Sequence, residues 1–198
     1  MPRSGEEARR RLQQAALELF SERGYEQTTA FEIAVRAGVT ERTFFRHFSD
    51  KREVLFDGQA TLRAALTSAI ARAPDGLQPL EVLYWAFRSV EQLLEDNRSF
   101  SFPRQQVIAS TPALQERELA KIAALIENLA RALRQRGVDE PSATLAAEVG
   151  MAVFCHAITS WFVEPSRPLG THLDRTFANL CQLSLPLART EARPHPAP

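Results

Sequence analysis

The sequence predicts an all-α fold of about nine helices, with an N-terminal three-helix unit carrying a helix-turn-helix and a larger helical domain behind it. Three observations predict it. Ala, Leu, Arg, Glu and Gln recur throughout the 198 residues and only 8 are Gly, so intrinsic propensity favours helix along the whole chain. Apolar residues return at three- and four-residue spacing in one segment after another. Hydroxyl residues and prolines stand where helices would begin, and glycines where they would end.

The first helix runs from about Glu6 to Arg23, with Ala8, Leu12, Ala15, Ala16, Leu19 and Phe20 on one stripe, and Gly24 stops it. Thr28 and Thr29 offer N-cap hydroxyls to a short second helix. Glu32, three residues beyond Thr29, completes a capping box; Ile33, Ala34 and Ala37 form the inner face, and Gly38 is a left-handed C-cap. Thr40 caps a third helix, which carries Thr43, Phe44, Phe45, Arg46, His47 and Phe48. Ser49 reads as the cap of a long fourth helix reaching about Ala73. After a turn-rich break, Pro79 opens a helix to about Asn97, and one small helix is expected between Pro103 and Pro112. Two longer helices follow, about Ala113 to Arg136 and Pro141 to Val163, parted by Gly137. The last runs from about Leu169 to Leu187, with Leu173, Phe177, Leu180, Ser184 and Leu187 near heptad positions, and the proline-rich tail Arg193 to Pro198 is expected to be disordered.

Two short helices joined by a Gly-containing turn form a helix-turn-helix candidate. Helical spacing puts Phe44 and Phe48 on one face of the third helix and Arg42, Thr43 and Arg46 on the other, with Phe45 and His47 on the flanks. One face packs while the other is free to read a major groove, where Arg bonds guanine edges and Thr or an aromatic ring touches a thymine methyl. The charge balance gives no help in bulk: 24 basic residues stand against 24 acidic ones. Through Arg52 there are 10 basic and 8 acidic residues, so binding to DNA must rest on where the cations sit. Helix N-termini near Thr29, Thr40 and Ser49 offer backbone N–H groups to phosphates.

Arg11-Leu12, Ala16, Leu19-Phe20, Gly24-Tyr25, Thr28-Thr29, Ile33-Ala34, Ala37-Gly38-Val39, Thr43, Arg46-His47-Phe48 and Lys51 together closely resemble the N-terminal signature of the TetR repressor family. The resemblance covers about Arg10 to Leu55. It implies a DNA-binding domain whose third helix is the recognition helix, joined to a variable helical domain that dimerises and binds an inducer. By position, Thr29, Thr40, Phe45, His47 and Lys51 look like residues that position the DNA backbone, and Arg42 and Thr43 like base readers, with Arg46 on the same face. The family usually has Tyr where Phe45 stands and often Gly where Arg42 stands, so these two contacts depart from the common pattern. The implied division is residues 1–52 for DNA binding, 53–190 for effector binding and dimerisation, and 191–198 for the tail.

The helix Pro141 to Val163 is apolar nearly all round and needs cover on two sides. The resemblance implies a four-helix bundle across a two-fold axis, for which Val149, Val153, Trp161, Phe177 and Leu180 look suited; the other reading is a buried core helix within one chain. Two recognition helices would then meet major grooves ~34–36 Å apart. Tyr84, Trp85, Phe87, Phe100, Phe102, Arg104, Phe154 and His156 could line a small-molecule pocket, with Arg104 facing an anionic ligand; the alternatives are plain core for the aromatics, a hydrogen-bonded core position for His156 and an exposed helix start for Arg104.

No phosphate-loop, nucleophile-elbow, dinucleotide or zinc-protease pattern is present, and the four His and two Cys lack metal-ligand spacing. Neither an enzyme, a cofactor nor a metal site is expected. Cys155 and His156 are adjacent and point to different sides of a helix, and a redox pairing of Cys155 with Cys181 ranks below inert core thiols. Leu145 to Val163 approaches bilayer-spanning length, but Glu148 and His156 interrupt it, so no membrane partner is expected, and with no leader-like opening the expected location is the cytoplasm. The sequence thus reads as a homodimeric repressor released from a palindromic operator on double-stranded DNA by a small-molecule effector, with coupling through the long fourth helix because it alone is shared by both domains. A ligand-independent regulator or activator, and a helical protein–protein adaptor, are the alternatives.

Overall fold

Every regular element of the computed structural model, which describes residues 3–183, is helical. In chain order these are α1 (Arg3–Arg23), α2 (Ala30–Arg36), α3 (Glu41–His47), a 3-10 turn (Glu53–Leu55), α4 (Gln59–Arg72), α5 (Pro79–Ser89), α6 (Glu91–Asp96), α7 (Arg98–Ala109), α8 (Pro112–Gln135), α9 (Glu140–Val163) and α10 (Leu169–Leu183). That is ten α-helices among the described residues, against about nine expected. The expected end of the last helix at Ser184 to Leu187 and the proline-rich tail lie outside the described residues.

The first three helices form where the sequence places them. The whole α1 stripe from Ala8 to Phe20 is buried, and Gly24 adopts φ 85°, which a side chain would strain. Thr29 caps α2: its hydroxyl accepts from Glu32 N at 3.2 Å while Glu32 Oε2 accepts from Thr29 N at 2.9 Å. Thr28, the other candidate cap, is instead buried and donates its hydroxyl to the Gly24 carbonyl at 2.9 Å. Thr40 caps α3 by accepting from Thr43 N at 3.2 Å.

The long fourth helix from Ser49 is not formed. Asp50 does the capping, accepting from Arg52 N at 2.7 Å and Glu53 N at 3.2 Å, and the chain makes the 3-10 turn before α4 begins at Gln59. The reason lies in Val54, Leu55 and Phe56, all at most 2% exposed. Three successive residues span about 200° of an α-helix, more than a surface helix can bury on one side. Wedged as a turn between two helical layers, they are all covered.

The expected helix from Pro79 to Asn97 is two, broken at Val90 (φ −101°, ψ 4°). The break re-aims α6 so that its carboxylates reach α10: Glu95 Oε1 accepts from Leu169 N at 2.6 Å and Glu91 Oε1 from Gly170 N at 2.9 Å. Those are first-turn amides, which a helix cannot satisfy internally. Likewise α7 starts before Pro103 and runs through it. The proline removes one donor, to the Ser99 carbonyl, and Ser99 is exposed to water.

Two cores result. One joins α1, α2, α3 and the 3-10 turn to Val107 and Ile108 of α7 and Leu114 of α8; the other is formed by α4, α5, α8, α9 and α10. The fourth helix is therefore not the sole element common to both units, because α7 and α8 close the N-terminal core from the other side. Among the described residues α9 is the one helix long and apolar enough to cross a bilayer, with a mean hydropathy of 1.4; it packs against α5, α8 and α10.

Candidate nucleic-acid interface

Phe44 and Phe48 anchor α3 in the N-terminal core, and this presents the opposite face outward. Arg42, Phe45 and Arg46 are exposed on it; Phe45 is 52% exposed, its ring edge-on to Phe44 at 5.3 Å. Thr43 is half-buried, and its hydroxyl lies 3.0 Å from that of Thr40.

Four arginines of the N-terminal unit are already paired with carboxylates. Arg23 pairs with Glu32, Arg36 with Glu18 and Glu22, Arg52 with Asp50, and Arg9 with Asp57. Among the described residues Arg42 and Arg46 form no ion pair. A nearly neutral unit thus leaves two unneutralised guanidinium groups side by side on the helix that the first core orients, which is the placement that phosphate and base-edge contacts require.

Two expected backbone contacts are placed differently. Lys51 points inward: its ammonium donates to the carbonyls of Tyr25 at 2.9 Å and Thr28 at 3.1 Å and sits 4.1 Å from the Tyr25 ring centroid. Burial pushes the Tyr25 phenol up to about 12, so it stays neutral beneath the ammonium. His47 is half-buried, and its Nε2 is a buried atom with no hydrogen-bond partner. Burial, then Arg46 and Arg9, hold the imidazole below its ordinary value, so it is neutral at pH 7.

Beside the apolar contacts of α7 and α8 with the N-terminal core, part of the seam between the two units is polar. Arg104, expected in a ligand pocket, spans it: Nε donates to the Leu55 carbonyl at 2.5 Å, NH1 pairs with Glu118 at 3.3 Å, and the guanidinium lies 4.9 Å from the Phe56 ring centroid. Beside it Glu53 accepts from Arg117 at 2.7 Å and Lys121 at 3.1 Å. Burial raises the Glu53 carboxyl, but the two cations outweigh it and hold it below the usual carboxylate value. Between the end of α3, the 3-10 turn, the start of α4 and the middle of α8 lies an open cleft of about 410 Å³.

None of the expected pocket residues lines that cleft, and only some of them meet elsewhere. Phe100 packs at the edge of the N-terminal core, Trp85 at the edge of the second. Phe154 stacks on Phe87 at 4.4 Å in the second core, Phe102 contacts Phe162 at 5.6 Å, and His156 is exposed. Among the described residues the buried histidine is His172, whose Nε2 lies 3.1 Å from the Glu164 carbonyl. Of the expected dimer residues, Trp161 (1% exposed) and Val153 (7%) are covered by the chain itself, whereas Val149, Phe177 and Leu180 are half-buried. The outward stripe of α9 is instead Leu145, Glu148, Ala152, His156, Thr159 and Val163. Cys155 and Cys181 are free thiols, and burial pushes the Cys155 thiol up, away from reactivity. Among the described residues no group of His, Cys, Asp and Glu could hold a metal.

Comparison with known proteins agrees with this geometry. Residues 12–57 match the family model described as bacterial regulatory proteins of the tetR family, and residues 77–184 match the MftR C-terminal domain. The chain is 34% identical over 138 residues to the HTH-type transcriptional regulator TcmR of Streptomyces glaucescens, covering 66% of this chain and 61% of that protein. It therefore spans about three fifths of TcmR's length. It is 24% identical over 197 residues to the mycofactocin biosynthesis transcriptional regulator MftR of Mycobacterium tuberculosis, covering 93% and 100% of the two chains. Among solved structures, Thermus thermophilus FadR, a TetR-family transcriptional repressor in complex with lauroyl-CoA, superposes with a TM-score of 0.57 at 28% identity, covering 96% of this chain and 98% of that one. The core-anchored α3 with its two unneutralised arginines, and the family matches over both units, lead to one conclusion: the chain belongs to the TetR family of DNA-binding bacterial transcriptional regulators, a family of regulators and not of enzymes.

Proposed function

We propose that the chain is a homodimeric repressor that binds a palindromic operator through α3 and is released by a small-molecule effector. The observation that carries the DNA half is the pair Arg42 and Arg46, exposed and unpaired on a helix whose other face is locked into the core. Arg42 and Thr43 read bases; Arg46, Phe45 and the helix N-termini capped by Thr29 and Thr40 set the register on phosphates. Dimerisation through α9 and α10 is supported by the exposed apolar positions Leu145 (62% exposed) and Val163 (81%), with Val149 beside them. A DNA target accords with a cytoplasmic location for the protein. The acyl-CoA held by the Thermus relative supports a ligand-responsive mode for this chain as well.

Footprinting of the purified protein on DNA flanking its own gene tests the reading. Protection of a two-fold symmetric site, lost with Arg42→Ala and Thr43→Ala, supports it. Absence of protection even at low salt overturns it.

A further inference from the structure

The cleft at the seam brings charged and apolar side chains together. Its polar wall carries Arg63 and Lys121, and two carboxylates, Glu53 and Asp57. Both carboxylates are already answered from outside the cleft, Asp57 by Arg9 and Glu53 by Arg117. Four cations thus surround two anions, and among the described residues Arg63 has no ionic partner at all. His47 lines the cleft at the end of α3, with a buried Nε2 that has no hydrogen-bond partner. The edges of Phe48 and Phe56, both otherwise buried in the N-terminal core, and the half-buried Leu125 add apolar surface to the lining. A volume of about 410 Å³ is that of an ordinary small-molecule site.

We infer that this cleft binds an amphipathic organic anion, with its charged group on Arg63 and Lys121 and its apolar part on Leu125 and the edges of Phe48 and Phe56. An anion on Lys121 competes with Glu53, whose ion pair holds the 3-10 turn to α8. Occupation therefore loosens the N-terminal unit from the domain behind it, directly at the C-terminal end of the recognition helix. Binding stands on the cleft alone; its consequence for DNA rests on the repressor reading above. The site differs from the aromatic pocket expected from the sequence, which shares no residue with it.

The probe is 8-anilinonaphthalene-1-sulfonate, an aromatic anion, compared with the uncharged N-phenyl-1-naphthylamine, both followed by fluorescence with the full chain. Arg63 and Ala124 are exposed, so Arg63→Glu and Ala124→Trp reverse the charge or fill the cleft without touching either core. The sulfonate is expected to bind the unaltered protein, with each variant weakening it about tenfold or more, the worth of one charge-assisted contact, and the uncharged probe indifferent to Arg63→Glu. Sulfonate affinity unchanged in both variants overturns the site. Loss of operator binding on adding the sulfonate, abolished by Arg63→Glu, supports the effector role, and cleft-dependent binding that leaves operator affinity unchanged overturns that role. Cleft-dependent binding by a protein that protects no DNA leaves the site standing and removes the repressor reading.

Discussion

Arg104 donates its Nε to the carbonyl of Leu55 at 2.5 Å, across 49 positions of sequence, and so ties α7 to the 3-10 turn. Its other partner, Glu118, is also mostly buried, and the guanidinium lies over Phe56. Arg104→Met would leave the Glu118 carboxylate partly buried without its cation and the Leu55 carbonyl without its donor. The expected loss is about 2 kcal/mol, a fall of roughly 5 °C in Tm for a chain of this size. Thermal unfolding checks it, and the double variant Arg104→Met with Glu118→Leu is expected to recover part of the loss, since no charge is then stranded.

Glu53 links the same two units and gives the seam an acid sensitivity. Its carboxyl is held below the ordinary 4.5 in the folded state. A depressed carboxylate stabilises fully above its unfolded value, and that contribution disappears as pH falls through the folded value. Urea denaturation should therefore show stability dropping below about pH 4.5. Glu53→Gln should cost about 1 kcal/mol at pH 7 and flatten that part of the profile. A variant that keeps the full acid dependence would assign it to other carboxylates.

On operator DNA the two free arginines are expected to behave differently. Arg42→Ala should cost about 1–3 kcal/mol on the preferred site and relax selectivity at one base position. Arg46→Ala should weaken all sequences alike and reduce the slope of log K against log salt by about 1. Titrations on specific and scrambled duplexes at several salt concentrations separate these effects.

Because Trp161 is covered within the subunit while Leu145 and Val163 are exposed, substitutions along α9 should divide sharply. Leu145→Arg and Val163→Arg are expected to give folded monomers by light scattering. Trp161→Ala should lower stability by about 3–5 kcal/mol, whatever the oligomeric state. A dimer that survives both charge insertions would move the subunit contact off this stripe.

The first three helices were legible because three signals agree there: an unbroken apolar stripe from Ala8 to Phe20, capping hydroxyls at Thr29 and Thr40, and left-handed glycines at positions 24 and 38. Past Phe48 the signals conflict. Ser49 and Asp50 are both good caps, and only the burial of Val54, Leu55 and Phe56 together, a tertiary fact, decides for a turn. Aromatic residues announced burial but not which core would take them, so Phe100 and Phe154 were grouped although they belong to different cores. Lys51 reads like any surface cation until Tyr25 is found beneath it. The cleft had a faint sequence signal: Arg117 and Lys121 are two cations spaced four apart on α8, and Glu53 is an acid on the turn, but nothing local shows that they meet.

The hold that Glu91 and Glu95 keep on the first amides of α10 joins two segments 74 or more positions apart. The amide hydrogens of Leu169 and Gly170 can exchange with solvent only when α6 lifts away or α10 unwinds, so their exchange rates report the docking of α6 directly. If α10 lies at the subunit contact, α6 acts as a buttress for that contact, and the Leu169 and Gly170 amides become labels for watching the two subunits shift against each other.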